Sequence, residues 1–387
     1  MEALSRAVND DISPIKFTIE KETFLKSLAR VQSIVEKRNT IPILSNIKID
    51  TANGQISLTS TDMELVANES ISANIENEGS LTVPAQTLYD IIRKLPDGAE
   101  IQFDTDIESS QVIIETENTR FKLPFLPSND FPIMSEGEPD YVFTLPSDIL
   151  LTLIKKASFA MSVKETRYYL NGVFIHEENN DANNPKLCSV TTDGHRLALL
   201  AIALPAEAVG MPGIILPKKT VNEICRILEE QDSDTEISIS NGKVKFAVGN
   251  IVLLSKLVDA NFPEYSKAIP ENNDIKMEVN TDNLRRAVDR VSTISSDKTK
   301  AIKFIIENGK LTLSAQNIET GTSKEELDIL FDSDKIEIGI NSKYILDLLD
   351  QIDGDTTQFL LANANSSILI SDPSDIRAQY VIMPMRV

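Results

Sequence analysis

His176, His195, Cys188 and Cys225 are the only imidazoles and thiols in a chain of 387 residues, and 59 carboxylates accompany them. A zinc site made from these four would need a ligand spacing unlike that of known zinc motifs, so no metal is expected. Paired carboxylates for acid–base work could be assembled from so many acidic residues, which keeps a hydrolase open as a class. Yet no nucleophile, base and orienting group stand out together, and two histidines leave few candidates for a base. No GxGxxG, Walker loop, zinc-finger spacing or RNA-binding aromatic motif is present, and no cofactor is implied. The two cysteines lie 37 residues apart with no CxxC, which fits a reducing cytosol better than a disulfide framework.

The last seven residues, VIMPMRV at 381–387, are chemically the most unusual stretch. Chain ends ordinarily fray into solvent. Here one charge, Arg386, stands among Val381, Ile382, Met383, Pro384, Met385 and Val387, so something must cover this end or bind to it. Methionines re-pack around different partners, and Pro384 cannot donate to a β-ladder, so it marks a strand end or an open edge.

The elements that position these residues recur three times. KFTIEKETFLKSLARVQSIV from Lys16, YVFTLPSDILLTLIKKASFAM from Tyr141 and IKMEVNTDNLRRAVDRVSTIS from Ile275 each read as a strand, a capping residue and an amphipathic helix. In the third, Asn280 or Thr281 caps a helix with Leu284, Ala287, Val288, Val291 and Ile294 on one face and Arg285, Arg286, Asp289 and Arg290 on the other. Alternating strands with NG and DG turns follow, then a second strand–helix signal at 81–103, 214–239 and 336–361, then more strands. The fold class is therefore α+β, with three tandem similar domains, each of two strand–helix–three-strand half-repeats and helices on one face of antiparallel sheets. The boundaries are 1–14 for a loose extension, then 15–138, 139–270 and 271–387. No apolar run is long enough to span a bilayer, and the first residues lack a signal-peptide pattern.

Net charge is −21, which taken alone argues against a polyanion partner. The charges are segregated, however. The helix-bearing stretches 20–38, 84–96, 146–167, 217–230, 280–300 and 341–353 hold 20 basic and 15 acidic residues, a net of +5, leaving −26 elsewhere. Two causes compete: a modestly basic helix side that touches a polyanion, or the ordinary preference of Lys and Arg for helices and of Asp and Glu for turns.

The motifs IPIL at 41–44, RYYLNG at 167–172, TDGHRLA at 192–198, SKLVD at 255–259, FPEY at 262–265 and YVIMPMRV at 380–387, in this order on a triplicated frame, closely resemble the bacterial sliding clamp family, the beta subunit of DNA polymerase III. The resemblance covers Lys16 to Val387. It implies a non-catalytic processivity factor: a head-to-tail homodimer closing a ring, helices lining the hole and sheets outside, around duplex DNA without sequence specificity. It implies as partners the polymerase catalytic subunit, the clamp loader and other clamp-binding proteins, in the cytoplasm.

Carried over by position, the resemblance assigns DNA contacts to Arg38, Lys164, Tyr168 and Tyr169; Arg93, Lys218 and Lys219 are expected as general phosphate contacts because they sit on helix-bearing stretches. It assigns a peptide cleft to Leu170, Thr192, Gly194, His195, Arg196, Leu197, Pro263, Lys267, Ser367, Val381, Met383, Pro384, Met385, Arg386 and Val387. The dimer contacts it implies are Arg120, Phe121 and Leu123 against Thr293, Ile294, Glu325 and Glu326. Val387 and Lys267 depart from the family's usual Leu and Arg. A repeat-built scaffold that binds only proteins is the third class to separate from clamp and hydrolase.

Overall fold

The computed structural model describes residues 14–36, 40–178, 183–296 and 299–386. Among these residues there are six α-helices: α1 (Lys21–Gln32), α2 (Ala85–Lys94), α3 (Ser147–Ser158), α4 (Lys218–Glu230), α5 (Thr281–Ser292) and α6 (Ser342–Leu349). Each follows one strand and precedes three, as in Lys16–Glu20, α1, Asn46–Ala52, Gln55–Thr61 and Leu65–Ser72. Three short strands, Asn74–Asn77, Leu126–Pro127 and Leu330–Phe331, are added to this half-repeat pattern. All strand pairs are antiparallel, and burial alternates along them, so each sheet turns one face to a helix layer. None of the described helices is long and apolar enough to cross a membrane.

The chain packs as two compact units, residues 1–150 with 222–257 and residues 151–221 with 258–387. In the first unit a five-stranded sheet and a nine-stranded sheet carry α1 and α2, and in the second a nine-stranded and a four-stranded sheet carry α5 and α6. These units cut across the threefold repeat for a physical reason. Each nine-stranded sheet is assembled from two neighbouring repeats, joined in the first unit by Leu65–Ser72 against Ile251–Lys256 and in the second by Arg196–Ala203 against Asp375–Ile382.

α5 illustrates the local causes. Asn280 caps it by accepting the Asn283 amide at 3.0 Å, and Leu284, Ala287, Val288 and Val291 are buried. The helix is shorter than its periodicity suggests: it ends at Ser292, so Ile294 lies past it and is only half-buried. Its polar face is also less basic than the sequence implies. Arg285 is held by Asp282 at 2.6 Å, and Arg290 by Glu325 at 2.5 Å.

The strand junction in the first unit encloses a buried ion pair. Arg30 of α1 donates to Glu69 at 2.8 Å and to Glu230, the last residue of α4, at 2.8 Å; Ser27 and Asn250 also donate to Glu69. Arg30 and Glu69 are 5% and 1% exposed, so Glu69 depends on Arg30 for compensation, while Arg30 also has the half-exposed Glu230. Glu69→Ala should lower unfolding free energy by about 2–3 kcal/mol in denaturant titration, because it takes the buried one of two carboxylates from a buried guanidinium. Arg290→Ala, which removes an exposed pair, should cost less than about 1 kcal/mol.

Candidate functional site

The C-terminal segment is tied down in the second unit. Its last strand stands beside Arg196–Ala203 with Leu197 opposite Val381 and Arg196 opposite Ile382. Beyond the strand, the Met383 amide donates to His195 O at 2.8 Å and the Met385 amide to Gly339 O at 2.8 Å. Leu197 and Val381 share one apolar cluster with Cys188, Val190 and Leu199, and Phe262, Tyr265, Ile269 and Leu369 pack against it. The Met383 side chain remains 48% exposed above this wall. Leu170 is buried, whereas Pro263 and Lys267 are exposed, Lys267 pairing with Glu264 at 2.5 Å. Ser367 contributes its carbonyl to Asn273 at 2.8 Å.

One turn positions the polar half of this site. Asp193 Oδ1 accepts the His195 and Arg196 amides at 2.9 and 3.1 Å, and Thr192 Oγ1 accepts the Gly194 amide at 3.0 Å while donating to Arg196 O. Gly194 is in the left-handed region at φ +87°, and a Cβ there would lie 2.8 Å from Arg167 Nη1. Arg196 is nearly buried: it bonds Asp193, Asp347 and Phe159 O, and its guanidinium lies 4.5 Å from the Tyr344 ring centre. The His195 ring is stacked near that of Tyr344, with 6.4 Å between their centres. Met385 and Arg386 also line a depression of about 970 Å³ beside the four-stranded sheet, with Lys303, Gln316 and Lys324.

Arg167, Asp193, Tyr344 and Asp347 were not among the residues expected from the sequence. Arg167 and Asp193 lie inside the quoted motifs RYYLNG and TDGHRLA, which was their signal. Tyr344 and Asp347 sit on α6 far along the chain, and nothing local marks them.

A second cluster lies where α4 begins. Lys164 and the 3-10 segment Glu165–Leu170, kinked at Arg167, lead to Asn171, whose carbonyl accepts the Lys218 amide at 3.1 Å. This brings Lys164, Tyr168, Tyr169, Lys218 and Lys219 to one corner, with the two tyrosine rings 6.0 Å apart and Tyr168 57% exposed. Lys164 was expected on a helix-bearing stretch, but α3 ends at Ser158. Arg93 closes α2 beside Asp90 at 3.2 Å. Arg38 and Val387 lie outside the described residues. Several helix cations are neutralised internally: Lys21 by Asp97, Lys156 by Asp353 and Asp375, Arg226 by Glu223. Lys26, Lys94, Lys218, Arg286 and Lys343 make no ion pair among the described residues, so the basic footprint is small.

His176 and Cys188 are in structural positions. His176 donates from Nδ1 to Glu177 O at 2.8 Å and accepts from the Tyr265 hydroxyl at 3.0 Å. Burial, with the Glu178 carboxylate nearby, pushes the Cys188 thiol up to about 12, far from a reactive thiolate at neutral pH. Among the described residues, no three His, Cys, Asp or Glu side chains are grouped to hold a metal.

The seven residues of the interface expected between copies, which lie on edge strands or next to α5, split between the units. Arg120, Phe121 and Leu123 lie on Thr119–Pro124, the edge of the five-stranded sheet, with Arg120 bonded to Glu115 at 2.9 Å. Glu325 and Glu326 lie on Gly321–Asp328, the edge of the four-stranded sheet, and Thr293 and Ile294 follow α5. For the cleft, Gly194→Ala should destabilise the protein by about 1 kcal/mol in thermal melts, since it forces a side chain into a left-handed turn and displaces Arg167.

Three family profiles cover nearly the whole chain: the DNA polymerase III beta subunit N-terminal domain at residues 15–135, its central domain at 144–264 and its C-terminal domain at 266–386. The beta sliding clamp of Caulobacter vibrioides is 41% identical over 373 residues, spanning 96% of this chain and all of that one. That of Escherichia coli K12 is 35% identical over 375 residues, again spanning 96% of this chain and all of the relative. A crystal structure of the C. crescentus beta sliding clamp matches with a TM-score of 0.94 at 41% identity, covering 97% of this chain and 100% of that one. A Bartonella birtlesii sliding clamp bound to griselimycin matches with a TM-score of 0.93 at 43% identity, with the same coverage. With the half-repeat fold, the strand-built C-terminal site and full-length similarity in agreement, the chain belongs to the DNA polymerase III beta subunit family, the bacterial beta sliding clamps.

Proposed function

We propose that the chain works as a sliding clamp, a non-catalytic ring of two copies that encircles duplex DNA and tethers the replicative polymerase and other clients in the cytoplasm. The carrying observation is a pairing rule within the chain. The third strand after the first helix of one repeat pairs with the last strand of the next repeat, as Leu65–Ser72 does with Ile251–Lys256 and Arg196–Ala203 with Asp375–Ile382. In the first junction Glu69, fifth in its strand, faces Ile251, first in its own; in the second Leu200, also fifth, faces Ala378, fourth in its own. The rule leaves one strand of each kind unmatched, Gly321–Asp328 and Thr119–Pro124, at the edges of the four- and five-stranded sheets.

Two copies joined edge to edge at these strands build a further nine-stranded sheet at each contact and leave no unmatched junction. Transferring the register of the first junction, fifth residue opposite first, puts Glu325 opposite Thr119 and Ser323 opposite Phe121. Arg120 then lies diagonal to Glu326, and Phe121 and Leu123 meet Thr293 and Ile294. The repeats 15–138, 139–270 and 271–387 are the six domains of the closed pair. Arg38, Arg93, Lys164, Tyr168, Tyr169, Lys218 and Lys219 would contact phosphates from the helix side. Few unpaired cations suit a duplex that must slide, because each phosphate neutralised adds salt-dependent affinity. The remaining acidic surface discourages DNA from attaching outside. Client peptides from the polymerase catalytic subunit, the clamp loader and other clamp-binding proteins would enter beside Leu197, Val381 and Met383, with Thr192, Gly194 and His195 at the turn.

Cysteines placed by the Phe121→Cys and Ser323→Cys changes together should form two disulfides per dimer, whereas Phe121→Cys with Thr322→Cys should not. The crosslinked dimer, once loaded, should stay on circular DNA and run off linear DNA through high-salt gel filtration. Equal loss from both would sink the ring, and a monomer in sedimentation would sink the pairing rule. Deleting residues 383–387 should abolish binding of a polymerase-derived peptide while leaving the dimer intact in the same sedimentation assay.

A further inference from the structure

The turn that frames the C-terminal cleft has a twin in the first unit. Asp62 Oδ1 accepts the Glu64 and Leu65 amides at 2.9 and 2.7 Å, as Asp193 does for His195 and Arg196. Thr61 Oγ1 accepts the Met63 amide at 3.0 Å, as Thr192 does for Gly194. The Lys256 amide donates to Glu64 O at 2.9 Å, just as Met383 does to His195 O at 2.8 Å. Position 63 even keeps the left-handed backbone, φ +75° against +87° for Gly194, although it carries a methionine.

The side chains on this shared frame form a groove. A depression of about 270 Å³ is lined by Thr61, Met63, Lys243 and Lys256 together with Pro132 to Ser135. Pro132, in the sequence FPIM, repeats Pro263 of FPEY, and Lys243, opposite Lys256 in its hairpin, takes the place of Ser367. Met63 is 47% exposed and Ile133 88%, so the floor is apolar and open. No carboxylate lines it, in a chain whose net charge is −21. Lys256 is paired with Glu64 at 2.9 Å, but the Lys243 ammonium meets only neutral oxygens of Ser135, at 2.6 and 3.4 Å.

We propose that this groove is a second peptide-docking site, taking an extended segment whose apolar side chain rests on Met63 and Met134 and whose following carboxylate meets Lys243. The ligand class rests on the reading of the C-terminal cleft as a peptide site, while the differences in side chains set a different preference. Lys243 and Lys256 stand where the cleft has Ser367 and Met383, which selects an acidic peptide by charge complementarity. Met63 supplies adaptable apolar surface where the cleft has only a glycine backbone. A residue with a β-carbon is strained at this φ, so a methionine held there and left exposed is costly unless its side chain is used.

Methionine-methyl NMR on the full-length dimer tests this, because Met63 and Met134 report the new groove while Met383 and Met385 report the cleft. The probe is the peptide acetyl-Ser-Leu-Met-Asp-Glu. Saturable shifts at Met63 and Met134, reduced at least tenfold in apparent affinity by Lys243→Glu with the shifts at Met383 and Met385 unaltered, are expected. Met63→Gly should keep or raise the melting temperature and yet weaken the response at Met134. Movement of Met383 and Met385 alone would overturn this site and leave the cleft standing. Shifts at Met63 that persist unchanged in Lys243→Glu would overturn the acidic-peptide assignment. Signals at Met63 and Met134 that depend on protein concentration without peptide would assign the groove to another copy of the chain instead. Silence at Met383 and Met385 with movement at Met63 would count against the cleft reading and not against this one.

Discussion

A strand at the rim of a sheet presents a row of unmatched amides and carbonyls, and those groups must be paired, hydrated or covered. At two junctions this chain meets that requirement by setting a strand of one repeat against a strand of the next, and almost every other feature follows. The shared strands turn smaller sheets into nine-stranded ones. They make the middle repeat a contributor to both compact units and explain why packing and sequence periodicity divide the chain at different places. Register matters because a slip of one residue would turn apolar side chains outward. The Arg30, Glu69 and Asn250 cluster at one junction and the Lys156 to Asp375 pair in the other unit are polar contacts that only the native pairing satisfies.

The same geometry shapes the surface. Where two strands of different repeats meet, the hairpin turn of one and the chain leaving the other lie side by side, which opens a groove next to a packed apolar wall. The groove is rigid in its frame and adaptable in its side chains. Arg196 is fixed by three oxygen partners and a ring face, whereas Met383 projects with half its surface free. That division of labour suits recognition of several short segments by one site.

Repetition with divergence also accounts for the electrostatics. The tenth residue of the first helix in each repeat is a cation, Arg30, Lys156 or Arg290, and its surroundings differ in each copy. Arg30 is buried between two carboxylates, Lys156 is bound by two aspartates, and Arg290 has one exposed partner on an edge strand. Helix cations therefore serve packing first, and only the remainder is available to a polyanion. This is why the helix-side excess read from the sequence overstates the basic surface.

Hydrophobic periodicity and turn chemistry in the sequence determined the half-repeat order, the six helices and the hairpins, because those depend on interactions within a few residues: Asn280 capping α5, or Asn53–Gly54 and Asn308–Gly309 in left-handed turns. The motifs also carried the cleft's Thr192, Gly194, Leu197 and Val381 by resemblance. The helix end at Ile294 was read too long, since apolar spacing continues past the point where backbone hydrogen bonding stops. Which strands cross between repeats, that Arg196 is locked by Asp347 and Tyr344 some 150 residues away, and that Thr61–Leu65 rebuilds the frame of Thr192–Arg196 were decided only in three dimensions. Contacts between segments so distant in the chain leave no local pattern, because burial and backbone pairing select them after the elements have formed.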